Sequence, residues 1–389
     1  MYIDHISLMN YRTYSLLNLP LSTGVTVFLG ANGVGKTNIV EAINYTAELS
    51  SHRVSHDGPL VQVGAQRAYI RTRVVRGKWQ TITEFEIAPG HSNRVRINRA
   101  APVRAREALG ITTTVFFSPE DLQLVKGEPQ CRRRFVDDMA VSLRPVVASY
   151  RSDYERILRQ RNSLLKTMRG GRITEEHRHT LTIWNEQIAQ AGALLVHSRW
   201  NVLARLMPEI QYAYQRLTDG SKAIGVTYES TIFPDITDAT LPHAAQLSVA
   251  DIAQEWMRAI EDKQQEEIER GVSLVGAHRD EMIWKIGDIP AKGFASHGES
   301  WSLALALKLG SWYVHRKEHQ GVGSCPILIL DDVFAELDTA RRKRLGSIVS
   351  DAEQVLVTCA IEEDIPQELG DDITMVRVSP GQVAFGAES

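Results

Sequence analysis

The chain has 389 residues, 43% of them hydrophobic and 23% charged, with a formal net charge of −3, which is enough to bury a full core and to hold two or three domains. No apolar stretch reaches membrane-span length, and the start, MYIDHISLMN, has neither a basic lead nor an apolar signal core, so the expectation is a cytoplasmic protein without a membrane segment. Cys131, Cys325 and Cys359 are odd in number, far apart and outside metal-ligand spacing, which argues against both disulfides and zinc.

Residues 1–29 read as two or three strands, with Tyr11 and Arg12 in the turn between the first two. Arg12 is either a nucleotide contact or a surface turn arginine. The stretch Leu29 to Ile39, LGANGVGKTNI, fits G-x-x-x-x-G-K-[ST]. It follows the apolar run GVTVFL and precedes a helical pattern, the context a phosphate-binding loop requires. The nucleotide-binding set is therefore Gly30, Ala31, Asn32, Gly33, Val34, Gly35, Lys36, Thr37 and Asn38. Glycines at 30, 33 and 35 are expected to let consecutive N–H groups surround a phosphate. Lys36 neutralises the terminal phosphates and Thr37 is a Mg²⁺ ligand. The helix that follows points its positive end at the anion.

Residues 67–99 alternate as strands broken at Arg76-Gly77-Lys78 and Pro89-Gly90-His91. From Arg67 to Arg106 ten Lys or Arg stand against two acids, whereas from Asp331 to the end thirteen acids stand against five basic residues. The basic stretch suits a polyanion or, equally, a solvated charged face. At Ser118-Pro119-Glu120-Asp121-Leu122 the pattern changes to helix, with proline at the first position. The run Arg132-Arg133-Arg134 suits either phosphate contacts or a solvated helix face.

Leu143, Val147, Tyr150, Tyr154, Ile157, Leu164 and Met168 fall on a helical spacing interrupted by Arg161, and Arg169-Gly170-Gly171 breaks it. A second run passes through Leu181, Trp184, Ile188, Ala191, Leu195 and Val202. Together they predict an antiparallel helical hairpin with arms on the order of 35 Å. Residues 221–245 are mixed strand and loop, and Ser248 to Arg270 form another helix.

Near the C-terminal end, Pro326-Ile327-Leu328-Ile329-Leu330-Asp331-Asp332 has the form of a Walker B strand. An apolar strand of this kind belongs in the middle of a covered sheet, whose carboxyl edge carries the chemistry. Asp331 is expected to hold Mg²⁺ beside Thr37, and Asp332 to orient or deprotonate the attacking water. Lys36, Asp331 and Asp332 are thus the expected catalytic residues.

The stretch Asp331 to Asp338, DDVFAELD, resembles the joined Walker B and D-loop of ABC-type ATPases, and Ser296-His297-Gly298-Glu299-Ser300 is similar to their signature motif. Within the SMC-like branch of that group the chain resembles the RecF family of recombination mediators. The likeness runs through Asn10 to Tyr14, GANGVGKTN, FSPEDLQLVKG from Phe117, RRRF, LVGAHRD from Leu274, and LILDDVFAELD. The resemblance implies an α/β fold, an ABC-type ATPase head with an inserted helical domain. Its expected boundaries are 1–118 for the N-terminal lobe of the head, 119–274 for the inserted helical arm, and 275–389 for the rest of the head.

The resemblance also implies a nucleotide set extended by Ser296, Gly298, Glu299 and Asp338, the first two contacting the γ-phosphate held by a second subunit. ATP with Mg²⁺ would then drive homodimerisation around double-stranded DNA, including junctions of single and double strands, with weak DNA-stimulated hydrolysis. RecO and RecR are the implied partners, RecA the indirect one, in DNA repair and replication restart. Arg71, Arg73, Arg132 and Arg133 are the expected DNA contacts.

The chain departs from the family pattern in several places. His297 and Glu299 stand where many ABC proteins have glycine and glutamine, and Asp332 stands where transporters carry glutamate, which suggests slow hydrolysis. Thr358-Cys359 occupies the place of the transporters' histidine switch, and Glu120 and Gln123 are the nearest candidates for a Q-loop residue. Two other readings stay open: an ABC ATPase subunit energising a membrane partner, and a non-catalytic nucleotide-sensing module.

Overall fold

Apolar side chains alternate along the first segments of the chain, and each segment folds as a strand that buries one face. These are β1 (Tyr2–Tyr11), β2 (Tyr14–Pro20), β4 (Ala68–Arg76), β5 (Trp79–Ile87), β6 (Arg94–Ile97) and β7 (Val103–Arg104), joined antiparallel in the order β2-β1-β4-β5-β6-β7. The computed structural model describes residues 1–385 apart from 172, 219, 221, 319–322, 324 and 371. It divides into two units, one of Met1–Asp121, Ala213–Gly220 and Trp301–Ser389, the other of Leu122–Tyr212 and Ser221–Ser300. Residues 275–300, grouped by the sequence pattern with the head, lie in the second unit.

A second sheet in the first unit has the order β16-β15-β3-β14-β13-β8. It comprises β3 (Gly24–Leu29), β8 (Thr114–Phe117), β13 (Ile327–Asp331), β14 (Gln354–Cys359), β15 (Ile373–Ser379) and β16 (Gln382–Phe385). Its interior strands pair parallel, and β13 and β14 are buried at every residue. Unbroken apolar runs such as ILIL make sense only in that position, covered on both faces. Helix α1 (Lys36–Glu48) packs Ile39, Val40 and Ile43 into one core with Ile6, Leu8 and Phe85 of the antiparallel sheet and Ile329 and Leu356 of the parallel one. Full burial of each of these three α1 side chains contributes about 1.5–3 kcal/mol.

The second unit holds the helices α2 (Gln123–Lys126), α3 (Pro129–Leu143), α4 (Val147–Met168), α6 (Leu241–Ala244) and α7 (Val249–Arg270), with most of α5 (Glu175–Leu217). Its four-stranded sheet runs β10-β9-β11-β12, from β9 (Ile224–Glu229), β10 (Ile236–Thr237), β11 (Glu281–Ile286) and β12 (Ile289–Pro290). Helix α8 (His297–Glu318) starts in this unit and continues in the first, which also holds α9 (Thr339–Val349). The helix expected from Ser118 is a single 3-10 turn, Pro119–Leu122, followed by the one turn of α2.

Helices α4 and α5 form the antiparallel hairpin, but two details differ from the sequence expectation. The 22 residues of α4 span about 33 Å, whereas the 43 residues of α5 span about 64 Å. Arg161 does not interrupt the seam but lies inside it, 1% exposed. It donates to Asn185 on α5 (2.8 Å), to Ser273 (2.7 Å) and to Glu267 on α7 (2.5 Å). The seam therefore has three walls, and Leu165 and Met168 of α4 meet Leu181 of α5 and Ile268 of α7 at its end.

Among the described residues, no helix is long and apolar enough to cross a membrane.

Candidate nucleotide site and the basic sheet

The loop between β3 and α1 bends where glycine permits it, with φ of +84° at Gly33 and +117° at Gly35. Gly30 is required for another reason. A β-carbon there would lie 2.3 Å from the carbonyl oxygen of Val378 on β15. Lys36 folds back along the loop, its Nζ donating to the carbonyls of Gly30 (2.7 Å) and Ala31 (3.2 Å) and to Asn32 Oδ1 (3.4 Å). Asn38 turns sideways instead, donating to Thr13 Oγ1 at 3.0 Å and accepting from Arg53 at 3.3 Å. Arg12 is bound to Glu41 of α1 through two hydrogen bonds of 2.9 and 2.6 Å and to the carbonyl of Pro59 at 3.1 Å. It takes a left-handed conformation, φ +51°, held by that buried carboxylate.

Parallel pairing brings the carboxyl end of β13 beside this loop. Thr37 Oγ1 donates to Asp331 Oδ1 at 2.9 Å, and Thr358 Oγ1 at the end of β14 donates to the same oxygen at 2.6 Å. Burial, reinforced by the charges of Asp332 and Glu120, pushes the Asp331 carboxyl up to about 6. Among the described residues no lysine or arginine forms an ion pair with it. A buried carboxylate served only by hydroxyls, beside a threonine hydroxyl, is an oxygen donor set of the kind a hard divalent cation takes. Thr37 and Asp331 thus fit Mg²⁺. Asp332 follows with φ +51°, its N–H donating to Thr358 Oγ1 at 2.9 Å. Asp338 caps α9, accepting from the N–H of Arg341 at 2.9 Å. Cys359 is buried, its thiol donating to the carbonyl of Ile361 at 3.0 Å.

In the second unit the signature stretch opens α8 with a capping box. Ser296 Oγ accepts from the N–H of Glu299 (3.2 Å), and Glu299 Oε2 accepts from the N–H of Ser296 (2.9 Å). Lys222 Nζ lies 2.6 Å from Glu299 Oε1. Its hydrogen bond, with those from Ser296, draws the Glu299 carboxyl down to about 2. Gly298 occupies the first turn of α8.

The basic residues divide by partner. Arg71 and Arg73 lie on the solvent face of the antiparallel sheet, where Arg71 sits across from Glu84 and Arg73 binds Asp4 at 2.6 Å. Arg94, Arg96 and Arg104 continue that face on β6 and β7, with Arg94 opposite Arg104. The arginine run on α3 behaves otherwise. Arg132 is 3% exposed and gives its guanidinium to both oxygens of Glu281 (2.8 and 2.7 Å) and to the carbonyl of Gly127 (2.9 Å). Arg133 donates to the carbonyl of Asp280 at 2.7 Å. The structure therefore removes Arg132 from the expected DNA contacts and ties Arg133 to a backbone carbonyl. The helical repeat puts Arg132 on the face of Val136, Met139 and Ala140, while Arg134 is the exposed member, paired with Asp138.

Thr358, placed by the sequence only as the neighbour of Cys359 at the switch position, joins the site through its hydroxyl. Which strand neighbours β13 is not written locally.

The model of the RecF/RecN/SMC N-terminal domain family matches residues 2–382. The chain belongs to the RecF family. It is 49% identical to the DNA replication and repair protein RecF of Pseudarthrobacter chlorophenolicus over 399 aligned positions, 98% of this chain and 99% of that one. The RecF of Paenarthrobacter aurescens is 50% identical over 98% of this chain and 99% of its own, and that of Streptomyces avermitilis 47% over the same shares. Among solved structures, the recombination mediator protein RecF with ATP in the RecFOR pathway superposes with a TM-score of 0.86 at 24% identity, covering 99% of this chain and 98% of that one. An SMC head bound to the C-terminal winged-helix domain of ScpA superposes with a TM-score of 0.55 at 17% identity, covering 99% and 97%. The fold is thus the RecF and SMC head, an ABC-type ATPase architecture, and the family is one of DNA replication and repair proteins.

Proposed function

We propose that this protein is a cytoplasmic ATP-dependent recombination mediator that binds ATP with Mg²⁺ in its phosphate loop, dimerises on it, and clamps double-stranded DNA at gaps. The observation that carries the reading is the 2.9 Å hydrogen bond between Thr37 and Asp331, which joins the phosphate loop to the Walker B strand at the carboxyl edge of the parallel sheet. In this reading Lys36 and the loop N–H groups hold the phosphates, Thr37 and Asp331 hold Mg²⁺, and Asp332 orients the attacking water. Mg²⁺, when bound, would supply charge neutralisation at the phosphates. The capped amino-terminal end of α8, with Ser296 and Gly298, would turn its positive dipole end to the γ-phosphate held by a second copy. ATP would then favour the dimer because its last phosphate is contacted only there, and hydrolysis would release it. Asp332 in place of glutamate suits slow turnover that DNA stimulates.

The solvent face of the antiparallel sheet, with Arg71, Arg94, Arg96 and Arg104, suits the phosphate backbone, read without sequence preference. By its family the protein would work at junctions of single and double strands with RecO and RecR, supporting RecA loading in repair and replication restart. The test is duplex binding and solution mass with and without ATP. Wild type should bind and dimerise only with ATP, and Lys36→Ala and Ser296→Arg should do neither. DNA binding by Lys36→Ala equal to wild type would refute the clamp.

A further inference from the structure

Asp332 takes an uncommon backbone conformation for an aspartate, φ +51°, where non-glycine residues carry a conformational cost of about 1 kcal/mol or more. Something must hold it there. Its N–H donates to Thr358 Oγ1 at 2.9 Å, and the same hydroxyl donates to Asp331 Oδ1 at 2.6 Å. A hydroxyl has one hydrogen and can accept from a second partner, so Thr358 accepts from the Asp332 N–H and gives its hydrogen to Asp331 Oδ1 at 2.6 Å over the longer contact with Asp332 Oδ1 at 3.4 Å. Thr37 donates to that Oδ1 from the other side at 2.9 Å. Thr358 itself is 1% exposed, in the middle of the sheet between β3 and β13. A β-branched side chain in a strand has few rotamers, so its hydroxyl is set by packing.

We infer that Thr358 is a positioning residue for hydrolysis: its hydroxyl, anchored on Asp331 Oδ1, holds the backbone N–H of the water-orienting Asp332. The position immediately precedes Cys359, which stands in the place of the transporters' switch histidine. The coupling of the strand end to the reacting phosphate would in this chain pass through a hydroxyl one residue earlier. The inference rests on the assignment of Asp332 proposed above. Thr358 acts through Asp332. A misplacement of a catalytic group by about 1 Å costs up to about a hundredfold in rate.

The experiment compares Thr358→Val, which keeps the shape and removes the hydroxyl, with Thr358→Ser, Asp332→Asn and the Thr358→Val/Asp332→Asn double variant. Single-turnover ATP hydrolysis is read with duplex DNA present, and binding of a fluorescent ATP analogue is read across a Mg²⁺ titration. Thr358→Val is expected to bind the analogue within about threefold of wild type and to hydrolyse ATP about ten- to a hundredfold more slowly. Thr358→Ser should recover most of that rate, and the double variant should be no slower than Asp332→Asn alone. The Asp332 amide should exchange hydrogen faster in Thr358→Val than in wild type, a readout independent of turnover. Should Thr358→Val fail to fold by circular dichroism, Thr358→Ala takes its place, with the same expectations. Full-rate hydrolysis by the variant lacking the hydroxyl while Asp332→Asn is inactive would overturn the inference and leave the assignment of Asp332 standing. So would a further slowing of Asp332→Asn by the same factor, or no recovery with serine. Wild-type hydrolysis by Asp332→Asn would overturn that assignment and this inference together.

Discussion

The buried carboxylate at the end of β13 and those inside the second unit are treated oppositely. In the second unit, Glu267 faces Arg161 at 2.5 Å and also accepts from the N–H groups of Leu274 and Val275. Asp137 faces Arg199 through two hydrogen bonds of 2.7 and 2.9 Å, and Asp280 accepts from Tyr228 and, at 3.4 Å, from Arg199. At the nucleotide site of the first unit, Asp331 accepts from two neutral hydroxyls. A guanidinium in direct contact with a buried carboxylate, as at Glu267 and Asp137, completes it and leaves it structural; hydroxyls orient a carboxylate but leave its charge available to an incoming cation. Asp280, whose contact with Arg199 is long, is likewise pushed up to about 6 by burial, so direct contact with a guanidinium, not its mere presence, separates scaffold from chemistry here.

The largest expected effect lies on the scaffold side. Arg161→Met strands the charge of Glu267, and urea denaturation should show a loss of about 3–5 kcal/mol. Adding Glu267→Gln should recover part of it, because the amide oxygen still accepts from Leu274 and Val275 with no charge left behind. A loss below about 1 kcal/mol would mean that the three-walled seam tolerates a bare carboxylate, and the contrast would fail.

The site side predicts the opposite sign. The Asp331 carboxyl is held near 6 against an ordinary 3.8, so between those values the folded protein binds more protons than the unfolded chain. Its stability therefore falls as pH rises through that window. Asp331→Asn escapes this penalty. At pH 8 the nucleotide-free variant should be more stable than wild type by about 1–3 kcal/mol, the excess fading toward pH 4, while ATP-driven dimerisation is lost. A variant less stable than wild type at pH 8 would show that Asp331 is scaffold after all.

Smaller effects sharpen the picture. Ser296→Ala removes the cap of α8 and should lower stability by about 0.5–2 kcal/mol, read by thermal melting; no change would mean the capping box contributes nothing to the fold. Arg71→Ala should leave stability within about 0.5 kcal/mol and reduce the salt dependence of duplex binding by about 0.9 in log–log slope. An unchanged slope would move the DNA off this part of the sheet.

Much of this was legible in the sequence, for reasons that differ by element. The phosphate loop and Walker B strand are local patterns whose spacing is set by the chemistry, and the ILIL run announced a covered parallel strand. What failed was whatever depends on partners distant in sequence. Arg132, Arg133 and Arg134 are identical as letters, yet the helical repeat and Glu281, far along the chain, decide that the first is buried. Arg161 reads as a break in an apolar stripe until Glu267, Asn185 and Ser273 supply three acceptors. Residues 275–300 join the second unit because β11 pairs with β9, a pairing no motif declares. Thr358 could be placed beside the switch position, but what its hydroxyl bonds is hidden because strand order decides its neighbours.

The order of the parallel sheet has a further consequence for how the molecule is made. Strand β3, which leads into the phosphate loop, is flanked by β14 and β15, and the tight approach at Gly30 is to Val378. Both flanks lie far after β3 along the chain. Until they are made an apolar strand waits with its edges open, and such long-range pairing is slow and prone to aggregation. Nucleotide binding is therefore a property the polypeptide can acquire only once β14 and β15 have been made, and a nascent chain stalled before β14 should depend on chaperones to stay soluble.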